Sequence, residues 1–266
     1  MTSFNRRTWN ILLVSALAGW AVPGFAQTSD RLSDKDVKAI IDQVDTGRDK
    51  FEGNLDGQFK GSTIRGPAGE TKVGGALQDY QDSTKKLQER FKADYAAGPE
   101  VTTVLKQSTQ IDTFMKGSPT SMKGRSEWDA QVLNLKRLAE SYGTTFPTPD
   151  GAVVRRMNDK EVADAAASVG TAAGRFKDEL DKASTVAKPA RDAAKKDVEA
   201  LVKQAETVES RINDGKPATA EVRQLIEQTH RVQGFVDANP IPAAMPNWQS
   251  VQASLAKLQQ AFGLAR

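Results

Sequence analysis

The chain contains no cysteine and only one histidine, and these two absences narrow its chemistry more than anything it contains. Without thiols there can be no disulfide, no thiolate zinc site and no haem held through Cys-x-x-Cys-His. A Ser-His-Asp or Cys-His centre would have to form around His230, and no nucleophile motif lies near it. His230 does close the spacing Glu227-x-x-His230 found in di-iron carboxylate bundles. Such a site needs a second motif of the same kind, and the matching place in the first half of the chain holds Lys106 and Thr109. Gly66-Pro67-Ala68-Gly69 lacks the strand-to-helix setting and the following Lys-Ser/Thr of a phosphate loop. No catalytic set, metal-ligand set or cofactor motif emerges, so a non-enzymatic protein is expected.

Long apolar runs and excess charge are also missing. After residue 26 no segment approaches the roughly 20 apolar residues of a membrane span, so no membrane insertion is expected. The formal charge of +3 falls to +1 once Arg6 and Arg7 are set aside with residues 1–26, which carry no acid. The remaining Lys, Arg, Asp and Glu are interleaved, the pattern of a solvated helical surface rather than of a face that binds nucleic acid.

Residues 1–26 have the layout of a secretory signal peptide. Arg6-Arg7 form a positive start, Ile11 to Val22 an apolar stretch too short to span a bilayer, and Gly24-Phe25-Ala26 a small-x-small cleavage site. The flanks Asn5 and Thr8-Trp9-Asn10 fit poorly with twin-arginine export, so the ordinary secretory route and a periplasmic or secreted product are expected.

What the chain does contain is a repeat of itself. Ser33-Asp-Lys-Asp-Val37 returns as Asn158-Asp-Lys-Glu-Val162, an offset of 125 that also carries Phe51 onto Phe176 and Leu55 onto Leu180. From Leu77 the offset is 121, placing Leu77, Tyr80, Leu87 and Phe91 on Val198, Leu201, Val208 and Ile212. In the last segment it is 120, placing Trp128, Leu135, Leu138 and Tyr142 on Trp248, Leu255, Leu258 and Phe262.

Within each half the apolar residues recur at helical spacing. Leu77, Tyr80, Thr84, Leu87 and Phe91 step by 3, 4, 3 and 4, and Trp128, Val132, Leu135, Leu138 and Tyr142 by 4, 3, 3 and 4. Ser33 and Asn158 are helix-starting residues with an acid three places on, Pro99 suits a first turn, and Gly117, Gly143 and Gly263 suit helix ends. The fold expected is all-α: two tandem up-down-up-down four-helix bundles from an internal duplication, residues 27–143 and 158–266, joined by a Pro-rich linker at 144–157. Phe146, Val153, Val154 and Met157 make that linker apolar, which suits either docking of the two halves or capping of the neighbouring bundle ends. Trp128 and Trp248 share stripes with leucines and are expected in the cores.

The halves differ between their first two helices. Residues 62–73 suit a small β-hairpin turning at Gly66-Pro67, whereas Asp181 to Asp197 in the second half suits a helical extension ending near Pro189. Because the second bundle manages without it, the hairpin is a candidate contact site for a protein partner in the cell envelope, through Ile64, Arg65, Gly66, Pro67 and Glu70. Ile241 and Met245, in the Pro-rich connection 238–247, form a second candidate. The function expected is therefore a binding, scaffold or chaperone-like role through protein contacts, and the alternative is a carrier holding a small molecule or cofactor inside a bundle.

Overall fold

A computed structural model describes residues 30–66 and 69–264. The signal-peptide reading of residues 1–26 and the Pro67 position of the hairpin lie outside the described residues. The described chain is mostly helical, with nine helices and one two-stranded sheet. None of these helices is long and apolar enough to cross a membrane.

The N-terminal half contains α1 (Asp34–Asn54), the single-turn α2 (Gly57–Lys60), β1 (Thr63–Gly66), β2 (Gly69–Lys72), α3 (Val73–Arg90), α4 (Gly98–Gly117) and α5 (Arg125–Ser141). The C-terminal half contains α6 (Asp159–Lys182), α7 (Lys188–Asn213), α8 (Thr219–Ala238) and α9 (Met245–Ala261). Contacts run α1 to α3, α3 to α4, α4 to α5 and back to α1, and the same ring closes from α6 through α7, α8 and α9 to α6. Each ring encloses its own hydrophobic cluster, Val37 to Phe146 in one and Val162 to Phe262 in the other.

Local chemistry explains the matching ends. The Ser33 hydroxyl accepts from the Asp36 N–H at 3.2 Å while the Asp36 carboxylate accepts from the Ser33 N–H, a reciprocal cap that satisfies two otherwise orphaned donors. Asn158 and Glu161 repeat it at the start of α6, at 2.7 and 2.8 Å. Both α5 and α9 stop at a glycine of positive φ, Gly143 and Gly263, with Thr144 N–H returning to Ala139 O and Leu264 N–H to Gln259 O. Pro189 departs from expectation: it sits in the first turn of α7, where a missing N–H costs nothing, and α6 has already ended at Lys182.

The cores also match in detail. Phe51 meets Trp128 with ring centroids 4.9 Å apart, and Phe176 meets Trp248 at 5.2 Å. The indole N–H of Trp128 donates to Asp112 Oδ1 at 3.0 Å, and that of Trp248 to Gln233 Oε1 at 2.6 Å. Asp112 and Gln233 are themselves related by the offset of 121, so each half supplies its buried indole with an acceptor from the same helix position.

The two halves meet where α1 and α6 begin. Arg31 donates to Asp159 Oδ1 at 2.6 Å and to Met157 O at 2.7 Å, and Arg156 donates to Asp34 Oδ1 at 2.8 Å and to Leu32 O at 2.7 Å. The Asp34 N–H donates to Asp159 Oδ2 and the Asp159 N–H to Asp34 Oδ2, both at 2.7 Å. Each carboxylate thus caps the positive end of the other half's helix while holding the other half's arginine. Burial lowers the Arg31 pKa, and the nearby Arg156 cation adds to this, opposed by the hydrogen bond that Arg31 donates to the Asp159 carboxylate.

Candidate functional site

The positions proposed for partner contact from sequence separate into buried and exposed sets. In the hairpin, Thr63 pairs with Lys72, Ile64 with Thr71, Arg65 with Glu70 and Gly66 with Gly69. Ile64 is buried in the N-terminal core, so it anchors the hairpin and is not available to a partner. Alternation places it inward, since β1 packs against α4 and successive residues of a strand point to opposite faces. Arg65, 82% exposed, and Glu70 form an ion pair across the outer face. Ile241 is likewise buried, and Met245 is partly buried against the same C-terminal core. Prolines interrupt the periodicity of this connection, yet its apolar side chains pack against the C-terminal core.

A different set of residues stands out when the halves are compared position by position. On α1, the Arg48 side chain is 1% exposed and pairs with Asp45 at 2.7 Å and with Asp49 at 2.9 Å. From α3, Thr84 donates to Asp45 Oδ1 at 3.3 Å. The buried Gln131 of α5 donates through Nε2 to Tyr80 Oη at 2.6 Å and to Val44 O at 2.8 Å, tying α5 to α3 and α1. Ser108 of α4 is buried beside Tyr80 and donates to Val104 O at 2.6 Å. The offsets place Gly170, Ala173, Leu201, Ala205 and Val251 where Asp45, Arg48, Tyr80, Thr84 and Gln131 stand. Ser108 is matched by Thr229, which is also buried and donates to Leu225 O at 2.8 Å, but at the other five places the polar groups of one core are replaced by small and aliphatic side chains in the other.

Burial raises the Tyr80 pKa to about 12, although hydrogen bonds with Ser108 and Gln131 work in the opposite direction. The phenol is therefore a neutral hydrogen-bonding group at physiological pH. Arg48 Nε and Nη1 and Gln131 Oε1 are buried without a hydrogen-bond partner, a costly condition that marks this cluster as more than packing.

Above the cluster, a groove of about 540 Å³ runs between α1 and α5. Its floor is small, with Gly47 and Ala130, and its polar lining includes Asp42, Gln43, Glu127, Gln131 and Asn134. A Cβ at Gly47 would lie 2.1 Å from Gln131 Oε1 and 3.1 Å from its Cδ, so a larger residue there displaces the Gln131 side chain. The offset replacements Ala172 and Val251 change both members of this pair together. Gln131 thus belongs at once to the groove and to the buried cluster, and anything seated on Gly47 bears on the Tyr80 hydrogen bond.

His230 and Glu227 are exposed on α8, apart from this cluster on the other half. Sequence reasoning missed Arg48, Tyr80, Thr84 and Gln131 as a group. The signal that finds them is the polar-to-apolar difference between matched positions, which becomes meaningful only when the four helices are known to face one another. No protein-family model, no curated protein and no solved structure matches this chain.

Proposed function

We propose that this is an exported, non-enzymatic binding protein of the cell envelope, built as two tandem up-down-up-down four-helix bundles from one duplicated unit. The N-terminal bundle carries the contact surface for a protein partner, and the C-terminal bundle is a filled scaffold that holds it. The observation that carries this reading is the asymmetry of matched positions: Arg48, Tyr80, Thr84 and Gln131 on one side, Ala173, Leu201, Ala205 and Val251 on the other. A duplicated fold stands without the polar set, so its retention in one half is better explained by use than by stability. The groove over Gly47 and the exposed face of the hairpin belong to that same half.

Placing a long side chain on the groove floor tests the reading. Ala130 is exposed and Ser250 occupies the matching position, so Ala130→Arg and Ser250→Arg should both fold. Capture from native envelope extract should lose its partner with Ala130→Arg and keep it with Ser250→Arg. Equal capture by both variants would refute a contact role for the groove.

A small-molecule carrier is the second reading, and it draws on the unpartnered Arg48 and Gln131 atoms. Native mass spectrometry and absorbance of protein purified without denaturation would reveal a retained ligand. Against it stands the filling of the same core by Phe51, Leu77, Leu105 and Trp128, all essentially inaccessible.

A further inference from the structure

We propose that the surface joining the two halves also fits a second copy of this chain, so that two chains can exchange halves and form a closed dimer. The latch is built from one four-residue motif used twice, Arg31-Leu32-Ser33-Asp34 and Arg156-Met157-Asn158-Asp159. Each motif offers a guanidinium, a carboxylate, a backbone carbonyl and a helix-terminal N–H. Each finds the same four groups in the other, at distances that agree within 0.2 Å: 2.6 against 2.8 Å for the ion pairs and 2.7 Å for every remaining contact. Contacts in which residue i meets j and the equivalent of j meets the equivalent of i define a two-fold, self-complementary interface. The covalent link between halves contributes nothing to that complementarity.

A competitor for this surface must supply the same set of groups. The Arg31 and Arg156 side chains are 6% and 3% exposed, and a bound partner lacking matching carboxylates would leave buried cations unpaired. Another copy of the chain meets the requirement with no new contact. Its first half closes on the second half of the neighbour, and the reverse pair forms by symmetry.

The linker permits the exchange and also favours closure within one chain at low concentration. Phe146 is anchored in the N-terminal core and Arg156 in the latch, leaving residues 147–155 between them. Extended, nine residues span about 30 Å, enough to lead from one closed module to an adjacent one. In the monomer the same segment folds back, with the Arg155 N–H on Tyr142 O at 3.2 Å, and holds the halves at an effective concentration on the order of millimolar. Exchange therefore requires chains that close their latches while crowded together, and the product presents two N-terminal grooves on one particle.

Two charge-inverted chains test this. One carries Arg31→Asp with Asp34→Arg, the other Arg156→Asp with Asp159→Arg. Each alone sets like charges against each other in its own latch, whereas exchange between the two restores opposite charges in both pairs. Refolded together they should give a particle of twice the monomer mass by light scattering, while each alone stays monomeric. Folded variants whose mixture remains at monomer mass would overturn the proposal. Because a basic residue at a helix start weakens folding, the cysteine-free chain supplies an independent measurement. Chains with Arg31→Cys and with Asp159→Cys, refolded together and then oxidised, should yield several-fold more disulfide-linked dimer than the same chains mixed after folding. Equal yields would refute exchange.

Discussion

Buried polar side chains distinguish the two cores at the residue scale. Asp112 accepts from the Trp128 indole and also holds Lys116 at 2.7 Å, so Asp112→Ala leaves a buried donor without a partner. A loss of about 1–3 kcal/mol is expected in chemical denaturation, the desolvation cost of an unpaired group. Tyr80 gives a pH signature. Its folded-state pKa is raised from the ordinary 10.0 to about 12, so its contribution is intact below pH 10, where both states are protonated. Between pH 10 and 12 the unfolded chain releases the phenolic proton while the folded chain keeps it. Stability falls across that interval by roughly 2–3 kcal/mol, since each tenfold difference in proton affinity between the two states is worth about 1.4 kcal/mol. Burial shifts Tyr142 in the same direction and adds to the fall. The urea midpoint measured across that interval should drop, and Tyr80→Phe should flatten the drop.

At the scale of elements, the crossing of α1 and α5 depends on the pair Gly47 and Gln131. Alanine at a helix interior normally gains about 1 kcal/mol over glycine. Gly47→Ala should instead destabilise, because its Cβ displaces Gln131 from Tyr80 and Val44. In a Gln131→Val background the obstruction is gone, and the same Gly47→Ala change should become stabilising, as the Ala172 and Val251 pair implies. A double-mutant cycle in urea reads this change of sign directly. The hairpin separates in a similar way. Ile64→Ala should cost about 2–5 kcal/mol through lost burial and a residual cavity, whereas Arg65→Glu on its exposed face should leave the thermal midpoint nearly unchanged. The hairpin is therefore anchored by one strand face and presented by the other, and wholesale removal of residues 61–74 would also delete the buried Val73 that opens α3.

For the whole molecule, the latch decides whether the halves move as one. Arg156→Ala leaves Asp34 without its cross-half cation and frees the segment carrying the exposed Arg155 and Val153. Trypsin should then cut at Arg155 markedly faster than in the parent chain, with helix content preserved because each ring keeps its own core. Cleavage at an unchanged rate would mean that linker contacts alone hold the junction.

Most helix positions, their caps and their glycine ends were legible in the sequence, because each depends on neighbours within one or two turns, whereas Pro189 read as a helix end and opens α7 instead. Capping needs only Ser33 and Asp36 or Asn158 and Glu161, and the stripes that carry Trp128 and Trp248 need only regular spacing. The presence of a hairpin was legible for the same reason, as its two arms lie close together along the chain, while its register is read from the structure. Tertiary structure decided which apolar residues are covered, reversing the reading of Ile64 and Ile241, since burial depends on what an element packs against. It also decided that Arg48, Tyr80, Thr84 and Gln131 form one cluster, because their side chains come from three helices and meet only across a shared core. Arg31 and Arg156 read as surface charges until folding brings two helix starts together, where opposite charge and exposed helix-terminal N–H groups make each motif the partner of the other.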